Sequence, residues 1–287
     1  MRRSGSQRSV NSEGAQSVGD AIREAAGRLA ETSDTARLDA ELLMAHALGQ
    51  SRSDMLVRSM RDAAVQEFAA LVERRAGHEP VAYIIGQQEF YGHDFRVTRD
   101  TLIPRPDSEV LVEAALALRP EARRVLDLGT GTGALLLSVL AHTGATGIGT
   151  DKSAAALKVA ADNADRLGLA ARAQFRLLDW NAEEWTKDIG PFEVILCNPP
   201  YIELGASLDP DVERFEPHGA LYAGEEGLTD YRAILPCLRD VLAKNGVAIF
   251  EIGYQQAEAV TALAAREGFA VEVRRDLADR PRALVLT

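Results

Sequence analysis

The tetrad Asn198-Pro199-Pro200-Tyr201 carries the residue types best suited to chemistry, and it follows the apolar run Phe192–Cys197. Each proline fixes its own φ and restricts the residue before it, so a stiff turn is expected at a strand's end. Such a turn can hold two acceptors side by side, the Asn198 side-chain oxygen and the Pro199 carbonyl. Two acceptors match the two N–H bonds of a planar –NH2 group, and Tyr201 offers a flat face on which a planar substrate can stack. The nitrogen lone pair of an amide or exocyclic amine is delocalised and attacks carbon poorly. Holding both N–H bonds aims that lone pair, favours its localisation and accepts the positive charge that develops during in-line transfer. No strong base is needed before the transfer, because the proton can leave afterwards. A plain Pro-rich turn is the competing reading.

The second feature is Asp127-Leu128-Gly129-Thr130-Gly131-Thr132-Gly133, placed where the strand Arg124–Leu128 gives way to the helix Ala134–His142. Ligands of open α/β sheets bind at the carboxyl ends of strands, and glycines there let the backbone approach them closely. A Walker loop needs Lys-Ser/Thr after its last glycine, and none follows Gly133. A dinucleotide site wants G-x-G-x-x-G, whereas the spacing here is G-x-G-x-G with Asp127 just before it. That carboxylate would repel a pyrophosphate and suits an ammonium or sulfonium group. S-adenosylmethionine has both and carries no phosphate; a glycine-rich turn without a ligand is the alternative. Asp151 ends the next strand, about 20 residues further on, where it can accept from both ribose hydroxyls or instead cap a helix. At the end of a third strand, Asp179 can accept from an adenine amino group. Trp180 can pack on the ring face or belong to the core. Asn198 then borders the cofactor as well as the substrate.

These residues need a frame. Beyond Glu109, strands at Arg124–Leu128, Gly147–Thr150, Ala173–Leu178, Phe192–Cys197, Val247–Ile252, Ala270–Val273 and Ala283–Leu286 alternate with helices at Ser108–Leu118, Ala134–His142, Ala154–Leu167, Tyr231–Leu242 and Gln256–Arg266. This pattern predicts an α/β fold with a mostly parallel, Rossmann-like sheet covered by helices on both faces, its last two strands antiparallel. Residues 104–287 form this domain. Residues 18–77 read as a small helical domain, with apolar spacing at Ala21, Ile22, Ala25 and Leu29 and again at Leu38, Leu42 and Ala45. Residues 78–103 read as a β-hairpin linker, with Val81–Ile85 and Phe95–Thr98 β-like around Gly86 and Gly92. Residues 1–17, rich in Ser, Gly, Gln and Asn, read as a disordered tail.

Composition narrows the function classes. The 287 residues suffice for two domains, with 46% hydrophobic and 26% charged side chains as in ordinary globular proteins. Lys+Arg total 32 against 43 Asp+Glu, a net charge of −11, which disfavours bulk DNA or RNA as the main partner. The only cysteines, Cys197 and Cys237, form no zinc pattern, and no metal is expected. Cys197 reads as a small apolar residue ending a buried strand. His78, His93 and His218 share no ligand spacing. Apolar runs fall short of the roughly 20 residues of a membrane span. No hydrophobic stretch follows Met1-Arg2-Arg3, so the expected compartment is the cytoplasm.

The ordered pair of motifs resembles the class I S-adenosylmethionine-dependent methyltransferases that modify planar amino groups. Glu79-Pro80-Val81-Ala82-Tyr83-Ile84-Ile85-Gly86, Leu102-Ile103-Pro104-Arg105-Pro106-Asp107-Ser108-Glu109 and Phe215-Glu216-Pro217 narrow the likeness to the peptide chain release factor glutamine methyltransferases, the PrmC/HemK family. The resemblance implies methylation of N5 of the glutamine in the Gly-Gly-Gln motif of bacterial class 1 release factors, yielding S-adenosylhomocysteine. It implies that Gly129 to Gly133, Asp151 and Trp180 bind the cofactor, that Asn198 to Tyr201 hold the glutamine, and that the helical domain grips the release factor. The alternative is a methyltransferase of a ribosomal protein glutamine or of a nucleic-acid exocyclic amine. A scaffold without turnover has no need of two amino-group acceptors. Asp279 and Pro281 depart from the Gly and polar residue the family pattern suggests. Arg105, Glu109 and Glu216 are expected either to order a loop over the site or to form ordinary surface ion pairs.

Overall fold

The structure, a computed structural model, describes residues 16–287, and these form two compact units that meet in sequence at Ile85 and Gly86. Most of the expected tail lies outside the described residues; Ser17 is within them, and its hydroxyl caps the first helix by accepting from Asp20 N–H.

The first unit is helical: α1 Val18–Leu29, α2 Ala36–Ala47, α3 Arg52–Arg58, α4 Glu67–Ala76 and α5 Val81–Ile85. The spacing that predicted α1 buries Ile22 and Leu29; in α2 the buried apolar face is Ala40, Leu43, Met44 and Ala45, so of the residues that marked that helix Ala45 is buried while Leu38 is exposed. Helix α5 corrects the β-like reading of Val81–Ile85. Pro80 presets a helical start, and its carbonyl accepts from both Tyr83 and Ile84 N–H. Burial of Ile84 in the helical core then outweighs the strand preference of its branched side chain.

The second unit opens with a hairpin, β1 Gln87–Phe90 and β2 His93–Arg96, joined through Tyr91 and Gly92, both at positive φ (51° and 76°). The hairpin therefore draws inward from the β-like segments: β1 starts after Val81–Ile85, and β2 begins and ends two residues before Phe95–Thr98. Then come α6 Glu109–Leu118, β3 Arg124–Leu128, α7 Ala134–His142, β4 Thr146–Asp151, α8 Ala154–Arg166, β5 Ala173–Leu177, β6 Phe192–Cys197, α9 Pro210–Phe215, α10 Thr229–Ile234, α11 Leu238–Val241, β7 Leu242–Glu251, α12 Ala257–Arg266, β8 Val271–Arg275 and β9 Pro281–Leu286. The seven-stranded sheet runs β5-β4-β3-β6-β7-β9-β8; only the β7–β9 and β9–β8 pairings are antiparallel. Alternate strand residues feed two cores. Val125, Val194 and Leu196 join Leu111, Leu136 and Leu140 on one face, and Leu126, Ile195 and Phe250 join Tyr231, Ile234 and Leu238 on the other.

Two expected elements differ. The single helix read over Tyr231–Leu242 is broken at Leu235–Cys237, where Pro236 cannot continue the hydrogen-bond ladder and the chain tightens to a 3-10 turn. Strand β7 begins earlier than expected, with a register shift against β6 between Phe192 and Val194. Gly246 permits this approach, since a Cβ there would lie 2.9 Å from the Phe192 carbonyl.

The register sets the site. Thr150, Leu128, Cys197 and Phe250 are paired across β4, β3, β6 and β7. The next residue on each strand is Asp151, Gly129, Asn198 and Glu251, so these four form one row at the sheet's carboxyl end. Connections diverge to opposite sides of the β3–β6 boundary, the switch point where open α/β sheets bind ligands. One buried side chain joins the hairpin to the glycine loop. Asn163 on α8 accepts from Arg96 N–H at 2.7 Å and donates to the carbonyls of Arg96 at 3.0 Å and Thr132 at 2.9 Å.

Candidate active site

A cavity partly open to solvent lies over that row, at the place where open α/β sheets take small-molecule ligands. Gly129 to Thr132, Asp151, Asp179, Trp180, Asn198 and Pro200 all contribute to its wall. Gly133 begins α7 in a left-handed conformation (φ 81°), leaving the helix N-terminus without a side-chain cap.

The glycine loop is held from outside. Thr130 N–H donates to the Thr150 carbonyl at 2.8 Å, and Gly131 N–H donates to Asp151 Oδ2 at 3.0 Å. Gly129 has φ 73°, and a Cβ on it would stand 3.1 Å from the Trp180 indole. Only glycine satisfies both the backbone and the ring. Asp127 is 1% exposed and accepts from the Thr130 hydroxyl at 2.6 Å through Oδ2, while Oδ1 has no hydrogen-bond partner. Burial pushes its carboxyl up to about 7, against the pull of Thr130 and of the Leu136 backbone N–H. Asp127 and Gly133 are not among the residues that line the cavity; Asp127 lies beneath the loop, where a positive charge held above it would favour its ionised form.

Both oxygens of Asp151 already accept backbone N–H groups, from Gly131 and, at 2.9 Å, from Ser153. The α8 cap is Ser153, which accepts from Ala156 N–H, so capping is not Asp151's role. Asp179 Oδ1 accepts from the backbone and side chain of Asn181. Trp180 is both core and cavity wall: it packs in the cluster beneath the sheet and donates from Nε1 to Asp230 Oδ1 at 2.7 Å. Asp230 was not anticipated; burial raises its pKa, and the indole N–H opposes that.

A second cleft adjoins the first cavity, and Asn198, Arg105, Leu102 and Ala220 line both. Pro199, Tyr201 and Glu251 line the cleft alone, whereas Pro200 faces the first cavity. The turn is pinned beyond its prolines. Gln256 donates to the Tyr201 carbonyl at 3.0 Å, and Ile202 is tied to Leu221 and Ala223 by backbone bonds of 2.9 Å each. Arg105 pairs with Glu216, which is buried and also accepts from Ile103 N–H at 3.2 Å. Glu109 instead accepts from Tyr91 N–H at 3.0 Å. Cys197 is a fully buried free thiol whose pKa burial raises. The backbone at Asp279 adopts φ 60°, which explains why a glycine would be expected there; aspartate is among the residues that tolerate it.

Behind the turn lie Ser108, which stands in the Leu102–Glu109 segment without a role of its own, and Glu251, which stands in none of the motifs. Ser108 donates to Glu251 Oε2 at 2.5 Å, Tyr201 donates to Glu251 Oε1 at 3.3 Å, and the Asn198 amide nitrogen lies 3.5 Å from Ser108 Oγ. The signal for Glu251 was an acid closing the apolar run Val247–Phe250 at the end of β7. Among the described residues no group of three His, Cys, Asp or Glu can hold a metal ion, and no helix is long and apolar enough to cross a membrane.

A switch-point cavity bearing a glycine loop, a buried acid and an Asn-Pro-Pro-Tyr turn defines a class I S-adenosylmethionine-dependent methyltransferase. Family models agree: a PrmC N-terminal domain matches residues 20–86 and a methyltransferase domain residues 120–267. The chain is 44% identical over 271 residues to the release factor glutamine methyltransferase of Cereibacter sphaeroides, covering 92% of this chain and 95% of that protein. It is 42% identical over 246 residues to the namesake of Agrobacterium fabrum, covering 82% and 84%. A solved methyltransferase structure from Pyrococcus furiosus shares the fold, with TM-score 0.51 and 15% identity over 77% of this chain and 98% of that one. The chain belongs to the release factor glutamine methyltransferase family.

Proposed function

We propose that this protein transfers a methyl group from S-adenosylmethionine to the side-chain amide nitrogen of the glutamine in the Gly-Gly-Gln motif of class 1 release factors. The observation that carries this reading is the position of Asn198, in the shared wall of two adjoining cavities. The cavity over the glycine loop takes the cofactor, and the cleft takes a planar side chain. The bound cofactor supplies a methyl group activated by a sulfonium. Asp127, beneath the glycine loop, favours its cationic part, Gly129 to Thr132 give it backbone, Asp151 accepts from its ribose, and Asp179 and Trp180 border its adenine.

Asn198 Oδ1 and the Pro199 carbonyl accept the two N–H bonds of the glutamine carboxamide, and Tyr201 covers its plane. With both hydrogens held, the nitrogen lone pair points at the carbon to be transferred, and both oxygens take up the charge that grows on nitrogen. One N–H proton is lost to water after transfer. Release factors are components of translation, which places the reaction in the cytoplasm. The acidic net charge of −11 speaks against DNA as the substrate.

The test mixes purified protein, labelled methyl donor and unmodified release factor, beside a release factor carrying Gln→Ala in the motif and a DNA control. Label is expected on the intact release factor alone. Label on DNA, or equal labelling of the Gln→Ala protein, overturns the assignment.

A further inference from the structure

Ser108 and Glu251 take no part in the reaction just described, yet their hydrogen bonds run in one direction toward the turn. An ionised carboxylate only accepts, so Ser108 commits its single hydroxyl hydrogen to Glu251 Oε2 at 2.5 Å. Its oxygen is then left with lone pairs, and the group that faces it is the Asn198 amide nitrogen at 3.5 Å. An amide carries its oxygen and its –NH2 on separate branches. With –NH2 turned to Ser108, Oδ1 is on the branch turned away from it. The reverse orientation would set amide oxygen against hydroxyl lone pairs, which repel. The 3.5 Å contact is long, so the direction of the Ser108 hydrogen, rather than a strong bond, selects the orientation. The same carboxylate receives the Tyr201 hydroxyl at 3.3 Å, so one buried group registers two members of the turn.

We infer that Ser108 and Glu251 are positioning residues for methyl transfer: the carboxylate orients the serine hydroxyl, and the hydroxyl locks the Asn198 amide with its oxygen left for the substrate carboxamide. This rests on the assignment of Asn198 as a substrate acceptor. The surroundings suit a relay whose charge matters. Glu251 is 1% exposed. Asp107 and Ser108 face it from the turn before α6, Arg282 from β9, Tyr201 from the loop after β6, Cys197 from β6, and Tyr231 on α10 donates to its backbone carbonyl at 2.7 Å. Arg282 is itself tied to Asp107 at 2.8 Å and to Asp276 at 3.3 Å. Burial pushes the Glu251 carboxyl up to about 7, with Ser108 and Arg282 opposing. Once protonated, Glu251 can donate to Ser108. The serine hydrogen is then free to turn toward Asn198, and both amide orientations become satisfied.

The test compares Ser108→Ala, Glu251→Gln and the double variant with wild type, at saturating donor and with release factor as substrate. Relay action predicts kcat about tenfold lower for Ser108→Ala and about 10- to 30-fold lower for Glu251→Gln. The double variant should be no worse than the poorer single, because both act through one hydroxyl. KM for release factor and calorimetric Kd for S-adenosylmethionine should stay within threefold of wild type. In wild type kcat should fall as pH drops through about 7, and in Glu251→Gln that limb should be absent. Glu251→Gln keeps the side-chain shape, Ser108→Ala removes one oxygen, and donor binding reports that each variant is folded. If wild type fails to methylate the release factor, the proposed function falls first. If wild type is active, then kcat within twofold in Ser108→Ala, multiplying losses in the double variant, or a persistent pH limb in Glu251→Gln each overturn the relay.

Discussion

The glycine loop Gly129–Gly133 and the turn Asn198–Tyr201 leave neighbouring strands one residue beyond the paired Leu128 and Cys197, yet they are made of opposite materials. Three glycines at positive φ give the loop its shape, and neighbours hold it there: Asp127 through Thr130, Asp151 through Gly131 and the Trp180 ring against Gly129. The turn carries much of its stiffness in two prolines, with Gln256 and the backbone bonds of Ile202 pinning its far end. Backbone that must lie against a ligand sheds its side chains and takes rigidity from others. A turn that must present a side-chain oxygen and a carbonyl at fixed positions supplies part of its own.

Variants on each side separate these roles. The largest effect is expected at Asn198→Ala: kcat about 10²–10³ lower, as for loss of one preorganised polar partner, with donor affinity little changed. Near-normal turnover would remove the distinction between the two regions. Gly129→Ala should act on the other quantity. A methyl group at φ 73° and 3.1 Å from the indole should weaken the calorimetric Kd for the donor about tenfold, while kcat at saturation stays close to wild type. A fall in kcat with Kd intact would reverse the assignment.

A pH titration of donor binding sharpens the comparison further. The Asp127 carboxyl stands at about 7 and must ionise to face a cation, so affinity is fully present above that value. It should weaken as pH falls through about 7, approaching tenfold per unit below it, and Asp127→Asn should give weaker but nearly pH-independent binding. A wild-type affinity flat from pH 6 to 8 would exclude Asp127 from cofactor recognition. The smallest effect is expected at Asp230→Asn. An amide still accepts the Trp180 N–H, but as a neutral partner, so a roughly two- to fivefold loss of donor affinity is expected, in line with about 0.5–1 kcal/mol for such a change.

Strands β3 and β6 and helix α7 fall at the boundaries their sequences suggest, because apolar runs buried on both faces end at glycine or proline, and these are strong local signals. Asp127, the glycine loop and the Asn198–Tyr201 turn were legible for the same reason. What escaped depends on distance along the chain. Ser108 meets Glu251 across 143 positions, and Trp180 meets Asp230 across 50. No local spacing encodes such meetings, although an acid at the end of an apolar strand hints that something must satisfy it. Val81–Ile85 misled because branched side chains favour strands until a helical core and a preceding proline decide otherwise.

The buried amide of Asn163 ties two segments into a single cooperative unit. Its three bonds to Arg96 and Thr132 leave the hairpin no way to peel off without loosening the glycine loop. Occupancy of the cofactor cavity should therefore slow deuterium uptake at the Arg96 amide, a site outside the cavity wall. Asn163→Ala should abolish that protection, so the Arg96 amide becomes a gauge of whether the methyl donor is in place.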